Sequence, residues 1–294
     1  MTNGWIDIKN TDMMLIMGGN PAENHPCGFK WAMEAKRNRN AKLISVDPRF
    51  TRTSSTADLF LQIRAGTDIA FLGGVIRYAI ENNRIAHDYL VNYTNAAFVV
   101  KEGFKLPEDG LYSGFDSAGG TYADKSTWNY EAVTGPSGKA PEPTPGKTAG
   151  PVPLPSLPPN VAYDLTLQNP RCVFQLLKQQ YSRYTPEMVE RITGIPRDQF
   201  LRAADLFTSV RKDGDMKKAA TIIYAVGWTQ HSFGTQIIRT AAILQLLMGN
   251  VGRAGGGVNA LRGHSNIQGA TDMAGLYDSL PGYLKTPVPA DTDL

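Results

Sequence analysis

The sequence predicts an α/β protein built on a doubly wound, mostly parallel sheet flanked by helices. Three observations carry this reading. Short apolar runs at Met13 to Met17, Lys42 to Val46 and Leu59 to Ile63 each end in a polar or glycine-containing turn. Stretches with helical spacing follow the first and third of these turns, and a strand, a glycine turn and a helix recur from Ala219 onward. The runs are apolar throughout instead of alternating, which suits strands covered on both faces and joined by helical crossovers.

Met13 to Met17 is closed by Gly18-Gly19, and Pro21 opens a loop. Gly28 to Arg39 is predicted helical because Phe29, Ala32, Met33 and Lys36 recur at helical spacing, with Lys36, Arg37 and Arg39 where cations complement the helix dipole. Lys42 to Val46 is the second strand. A right-handed crossover sets the two strands parallel with their carboxyl ends on one edge, where open α/β sheets bind ligands. Leu59 to Ile63 leads through Arg64-Ala65-Gly66 into a helix from Asp68 to Asn82, with Thr67 placed to cap it.

From Val133 to Asn160 the chain is dominated by Pro, Gly, Ser and Thr, which favour extended backbone and read as a linker or surface insertion. Beyond it, Cys172 to Ser182, Pro186 to Ile192 and Arg197 to Val210 have helical spacing, the last with Phe200, Leu201, Ala204 and Phe207 on one face. Ala219 to Val226 is a strand by its β-branched and aromatic content. Gly227-Trp228-Thr229-Gln230 follows as a turn, then a helix from about Gly234 to Met248. From Asn250 the chain is glycine-rich, polar and without periodicity, as expected of a functional loop or of a segment packed on a neighbour.

Composition bounds the function. The 294 residues, 42% hydrophobic and 19% charged, suffice for one large domain or two ordinary ones. A formal charge of +3 with no basic block argues against a nucleic-acid partner. No apolar stretch reaches the roughly 20 residues that cross a bilayer, and the first residues carry no secretory signal. Cys27 and Cys172 are too few for a four-thiolate iron–sulfur or zinc site, so no metal ligands are predicted; each is expected to be a small buried hydrophobe, with one disulfide possible.

Three strand ends carry chemistry. In Gly18 to Pro26, glycines let backbone N–H groups approach a phosphate, and Asn20, Asn24 and His25 add donors near a helix N-terminus. In Asp47-Pro48-Arg49 the carboxylate sits where dinucleotide domains accept hydrogen bonds from a ribose or base, and Arg49 and Arg52 suit phosphate. In Gly66-Thr67-Asp68 the acid could meet a guanine edge or simply charge the first turn of its helix. His25 and His231 are read as packing residues and His87 as helix surface.

Together with YAVGWTQHSFG and GGVNALRGHSNIQG, these stretches make the chain resemble the catalytic subunit of respiratory formate dehydrogenases, members of the molybdopterin oxidoreductase superfamily, nearly end to end. The resemblance implies a Rossmann-like domain binding molybdopterin guanine dinucleotide, two of which hold Mo or W. It implies Gly18, Gly19, Asn20, Pro21, His25, Asp47, Pro48, Arg49, Gly66, Thr67, Asp68, Gly227, Trp228, Thr229 and Gln230 at the cofactor. It implies Arg262 as the formate anchor, with His264 beside it; a guanidinium forks onto a carboxylate.

By the same resemblance, residues 1–132 and 161–260 are two halves of the dinucleotide domain, 133–160 an insertion, and 261–294 a crossover to a neighbouring domain. The family's selenocysteine–histidine pair and 4Fe-4S cysteines find no counterpart here. The chain is therefore expected to be an internal piece starting downstream of the selenocysteine, completed by upstream and downstream parts of the same subunit and inactive alone. An iron–sulfur electron-transfer subunit is the implied partner, and a periplasmic home is implied for the parent enzyme; the chain as it stands, without a signal, would stay cytoplasmic. Two other classes stay open: a molybdopterin oxidoreductase acting on another substrate, and a non-catalytic nucleotide-binding module.

Overall fold

The computed structural model describes residues 2–107, 111–133, 161–261, 267–275 and 279–292. After a 3-10 turn at Trp5–Asn10 come β1 (Met13–Met17), α1 (Pro21–Asn24), α2 (Pro26–Arg39), β2 (Lys42–Asp47), β3 (Leu59–Gln62), α3 (Asp68–Glu81) and α4 (His87–Tyr93). A small hairpin, β4 (Phe115–Asp116) with β5 (Thr121–Tyr122), precedes α5 (Val173–Tyr181), α6 (Pro186–Thr193) and α7 (Arg197–Thr208). Then come β6 (Ala220–Tyr224), α8 (Val226–Thr229), α9 (Gly234–Leu247) and β7 (Gly257–Ala260).

The main sheet has five strands in the order β3-β2-β1-β6-β7, every neighbouring pair parallel. β1 is central, and Leu15 lies opposite both Ile44 and Ile222. Side chains alternate across a strand, so Met13, Leu15 and Met17 join Phe71, Phe200, Ile237 and Leu244 in the larger core. Met14 and Ile16 face Ile8, Phe29 and Ala32 on the other side. All five residues of β1 are buried, which is why its sequence shows no alternation; each large apolar side chain there contributes roughly 1.5–3 kcal/mol. The expected doubly wound α/β class is the observed one.

Several boundaries differ from expectation. Pro21 starts a helical turn instead of a loop, and α2 begins at Pro26, because proline's fixed φ suits the first helical position. Thr67 precedes α3 but does not cap it with its side chain; its hydroxyl donates to the Arg64 carbonyl at 2.7 Å. The helix expected to run to Val210 ends at Thr208 and tightens into a 3-10 turn. Cys27 is exposed, Cys172 is buried, and both are free thiols.

The largest correction is β7, a fifth strand in the stretch read as structureless. A buried polar network secures it. Gln245 on α9 donates to the carbonyls of Ala220 and Gly257 at 2.9 and 2.6 Å, tying the first residues of β6 and β7 together. Asn250 donates to Gln245 at 2.7 Å and accepts from Arg211 at 2.6 Å. Of the Pro/Gly-rich stretch, residues 134–160 lie outside the described residues; its flanks, Ala132 and Val161, pair antiparallel. Among the described residues no helix is long and apolar enough to cross a membrane.

Candidate functional site

A parallel sheet ends all its strands on one edge, and here the carboxyl ends of β1, β2, β3 and β6 converge on a cleft of about 320 Å³. Gly18, Gly19 and Asn20 come from β1, Asp47, Pro48 and Arg49 from β2, Ala65, Gly66 and Asp68 from β3, and Val226, Gly227 and His231 from β6. Glycine is required where the β1 and β6 ends meet. Gly18 sits at φ +65°, and a Cβ there would lie 2.6 Å from Trp228 Cδ1. A Cβ on Gly227 would lie 2.6 Å from the Gly18 carbonyl oxygen, which already accepts the Gly227 N–H at 2.9 Å. The two turns are thus in backbone contact.

Asn20 organises the next layer. Buried at the cleft floor, its Oδ1 accepts from the Thr53 amide and hydroxyl at 3.2 and 2.9 Å, and its Nδ2 donates to Glu23 at 2.8 Å. The Thr53 hydroxyl in turn accepts from the Ala22 amide at 3.1 Å. Asn20 therefore holds the loop after β2 against the turn after β1. Asn20→Ala strands these groups and is expected to cost about 1–3 kcal/mol, read as a lower urea midpoint at an unchanged slope.

Two carboxylates give the cleft its electrostatics. Asp68, at the first turn of α3 and 7% exposed, has its pKa raised by burial and slightly by Asp47, against the lowering effects of the Trp228 hydrogen bond and His231. Asp47 is also raised by burial, opposed by the Arg49 amide and charge. A raised acid binds its proton more tightly in the folded chain, so these groups reduce stability above their folded pKa values and cease to do so below the ordinary carboxylate range. Asp68→Asn is therefore expected to raise the melting temperature at pH 7, and the gain should disappear in acid; a gain persisting below pH 3 would contradict this. His231 adds a buried Nδ1 with no hydrogen-bond partner among the described residues.

Of the expected site residues, Gly18, Gly19, Asn20, Asp47, Pro48, Arg49, Gly66, Asp68 and Gly227 line the cleft. Trp228 forms the buried wall behind it, its ring stacked 4.9 Å from Tyr224 and its Nε1–H donating to Asp68 at 2.9 Å. Pro21, Thr67, Thr229 and Gln230 adjoin the cleft in sequence without lining it. His25 lies at a separate hollow with Trp5, Cys27 and Trp31, stacked 5.9 Å from Trp5. Arg262 and His264 lie outside the described residues. His231 was read as packing and instead faces the cleft, as does Thr51; the histidine's place one position beyond the GWTQ turn was the only available signal.

The cleft is not the largest hollow. The one around Trp5, His25 and Trp31 measures about 460 Å³, and an aromatic one at Phe104, Tyr112, Trp128 and Tyr130 about 370 Å³. Neither gathers several strand ends or a buried carboxylate, and convergent polar groups mark a binding site better than size.

Comparison with known proteins places the chain in a family. The family model described as molybdopterin oxidoreductase matches residues 1–289. The chain is 51% identical over 294 residues to the nitrate-inducible formate dehydrogenase major subunit of Escherichia coli, covering 100% of this chain and 26% of that protein. It is 51% identical to the formate dehydrogenase major subunit of Haemophilus influenzae, over 99% of this chain and 26% of that one. With formate dehydrogenase 2 subunit alpha (cytochrome c-553) of Nitratidesulfovibrio vulgaris it shares 49% identity over 98% of this chain and 26% of the relative. Among solved structures, acetylene hydratase from Pelobacter acetylenicus aligns with a TM-score of 0.49 at 18% identity, over 84% of this chain and 24% of that one. The chain thus spans about a quarter of the length of the curated relatives it matches.

Proposed function

The chain belongs to the molybdopterin oxidoreductase family, and from that premise we propose that it supplies the dinucleotide-binding domain of a formate dehydrogenase catalytic subunit. The supporting observation is the cleft: four strand ends, two glycine turns in backbone contact, the buried carboxylate of Asp68 and the half-buried one of Asp47 converge on one edge. The residues fit a nucleotide tail. The Gly18, Gly19 and Gly66 turns leave backbone open to phosphate, Arg49 sits at the mouth, Asp47 and Asp68 offer acceptors to ribose or base, and the unpartnered His231 Nδ1 offers one more contact.

In this reading the family's molybdopterin cofactor is the guanine dinucleotide form, with Mo or W, and when bound it supplies the redox chemistry by which formate becomes CO₂. This chain's residues bind and orient. Arg262 anchors the formate carboxylate through its guanidinium fork, with His264 beside it. Leu261, the residue before Arg262, is held to the end of β6 by its amide, which donates to the Tyr224 carbonyl at 2.7 Å. The iron–sulfur cluster belongs to other parts of the same subunit, electrons pass to an iron–sulfur partner subunit, and the parent enzyme is periplasmic.

The test is expression in a host that makes the cofactor, followed by fluorescence of the oxidised pterin and elemental analysis for Mo and W. Pterin in about equimolar amount with guanine nucleotide supports the reading; a purified chain that binds neither pterin nor nucleotide contradicts it. The chain alone is expected to show no formate oxidation, and turnover by the pure chain would refute that.

A further inference from the structure

One contact at the sheet edge does more than line the cleft. The Trp228 indole is fully buried, stacked on Tyr224 and wedged against Gly18, so its N–H has one fixed direction, and that direction is Asp68 Oδ1. Resting on the nucleotide-cleft reading, we propose that Trp228 is a specificity-determining positioning residue: its N–H holds Asp68 as an anionic acceptor, and so selects guanine over adenine at this cleft.

The chemistry follows from donor and acceptor patterns. An ionised carboxylate only accepts hydrogen bonds, whereas a protonated one both donates and accepts. Guanine presents two adjacent donors, N1–H and the exocyclic N2–H, which suit the ionised form. Adenine presents a donor, N6–H, beside an acceptor, N1, which suits the protonated form. A buried carboxyl that took up a proton would therefore turn a guanine site into one tolerant of adenine.

The surroundings of Asp68 leave the indole as the chief device against that. Burial favours the protonated form, and Asp47 at the end of β2 works the same way; the Trp228 hydrogen bond opposes them most, followed by Asp68's own backbone amide and then His231. Arg49 acts on Asp47. Arg64, at the end of β3, turns its guanidinium to the carbonyls of Arg191 and Ile192 at 2.7 and 3.2 Å. The side-chain hydrogen bond that Asp68 receives among the described residues is the one from Trp228.

The test is equilibrium binding of GMP and AMP to the full chain between pH 5 and 8, for the wild type, Trp228→Phe and Asp68→Asn. The wild type is expected to prefer GMP, with the preference shrinking in acid. Trp228→Phe should lose about tenfold of that preference at neutral pH, the cost of one hydrogen bond to a charged group, and lose the remainder at a higher pH than the wild type. Asp68→Asn, whose amide pairs a donor with an acceptor, should lose the preference for GMP, bind AMP at least as well, and show no pH dependence arising at position 68. Should Trp228→Phe fail to fold, the indole N–H resonance of Trp228 in the wild type decides, because it must titrate with the midpoint of the GMP preference. A Trp228→Phe chain with the wild-type preference and pH profile, an indole signal indifferent to that midpoint, or equal binding of GMP and AMP by the wild type overturns the proposal while leaving the cleft reading intact. A wild type that binds neither nucleotide overturns both.

Discussion

Gly227→Val is expected to reduce guanine-nucleotide affinity by about 100-fold, on the order of what a one-ångström misplacement costs positioned groups in catalysis. At Gly227 the added carbon meets backbone: the Gly18 oxygen and Cα lie 2.6 and 2.7 Å from where a Cβ would be. No rotamer change relieves that contact, so the β1 and β6 ends must separate, opening the floor of the cleft. Overpacking also costs roughly 1–3 kcal/mol of stability, so binding is measured well below the melting temperature of the variant. A chain that folds with valine at 227 and binds as the wild type does would show that the two turns need not touch.

The second large effect is remote from the cleft. Arg211 is fully buried, and burial pushes its pKa down to about 10, still leaving it charged at neutral pH. Its guanidinium donates to the carbonyls of Val210, Asp215, Lys218 and Met248 and to Asn250 Oδ1. Those partners close α7, the end of α9 and the start of β6 around one cation. Arg211→Met keeps the bulk and deserts every acceptor, so it is expected to cost about 3–5 kcal/mol, a large part of a typical domain's stability. Urea denaturation checks this; a midpoint within error of the wild type would mean that water or a neighbouring donor replaces the guanidinium.

These residues also show what was legible in advance. β1 and β6 announced themselves because every one of their residues is buried, which leaves a nearly unbroken apolar run, as in Met13 to Met17; β2 and the edge strand β3 showed through shorter apolar runs closed by polar turns. The glycine and acidic turns were legible because each follows such a strand. β7 was not: Gly257-Val258-Asn259-Ala260 carries one strand-favouring residue, Val258, and its parallel pairing with β6 is braced by Gln245 and Asn250, polar residues that no strand pattern singles out. Thr67 looked like a cap because the residue type and position were right, but the Arg64 carbonyl competed for its hydroxyl and won. His231 and Trp228 stand three positions apart, and only the turn of α8 shows that one faces the cleft while the other props Asp68 from behind.

The central claim is that the converging strand ends form a guanine-nucleotide site, and amide chemical shifts of the isotope-labelled chain titrated with GDP test it most directly. The predicted result is saturable shifts at Gly18, Gly19, Gly66, Asp68 and Gly227, with the hollow at Tyr112 and Trp128 unmoved. Shifts confined to that aromatic hollow, or none at the strand ends at saturating nucleotide, would contradict it.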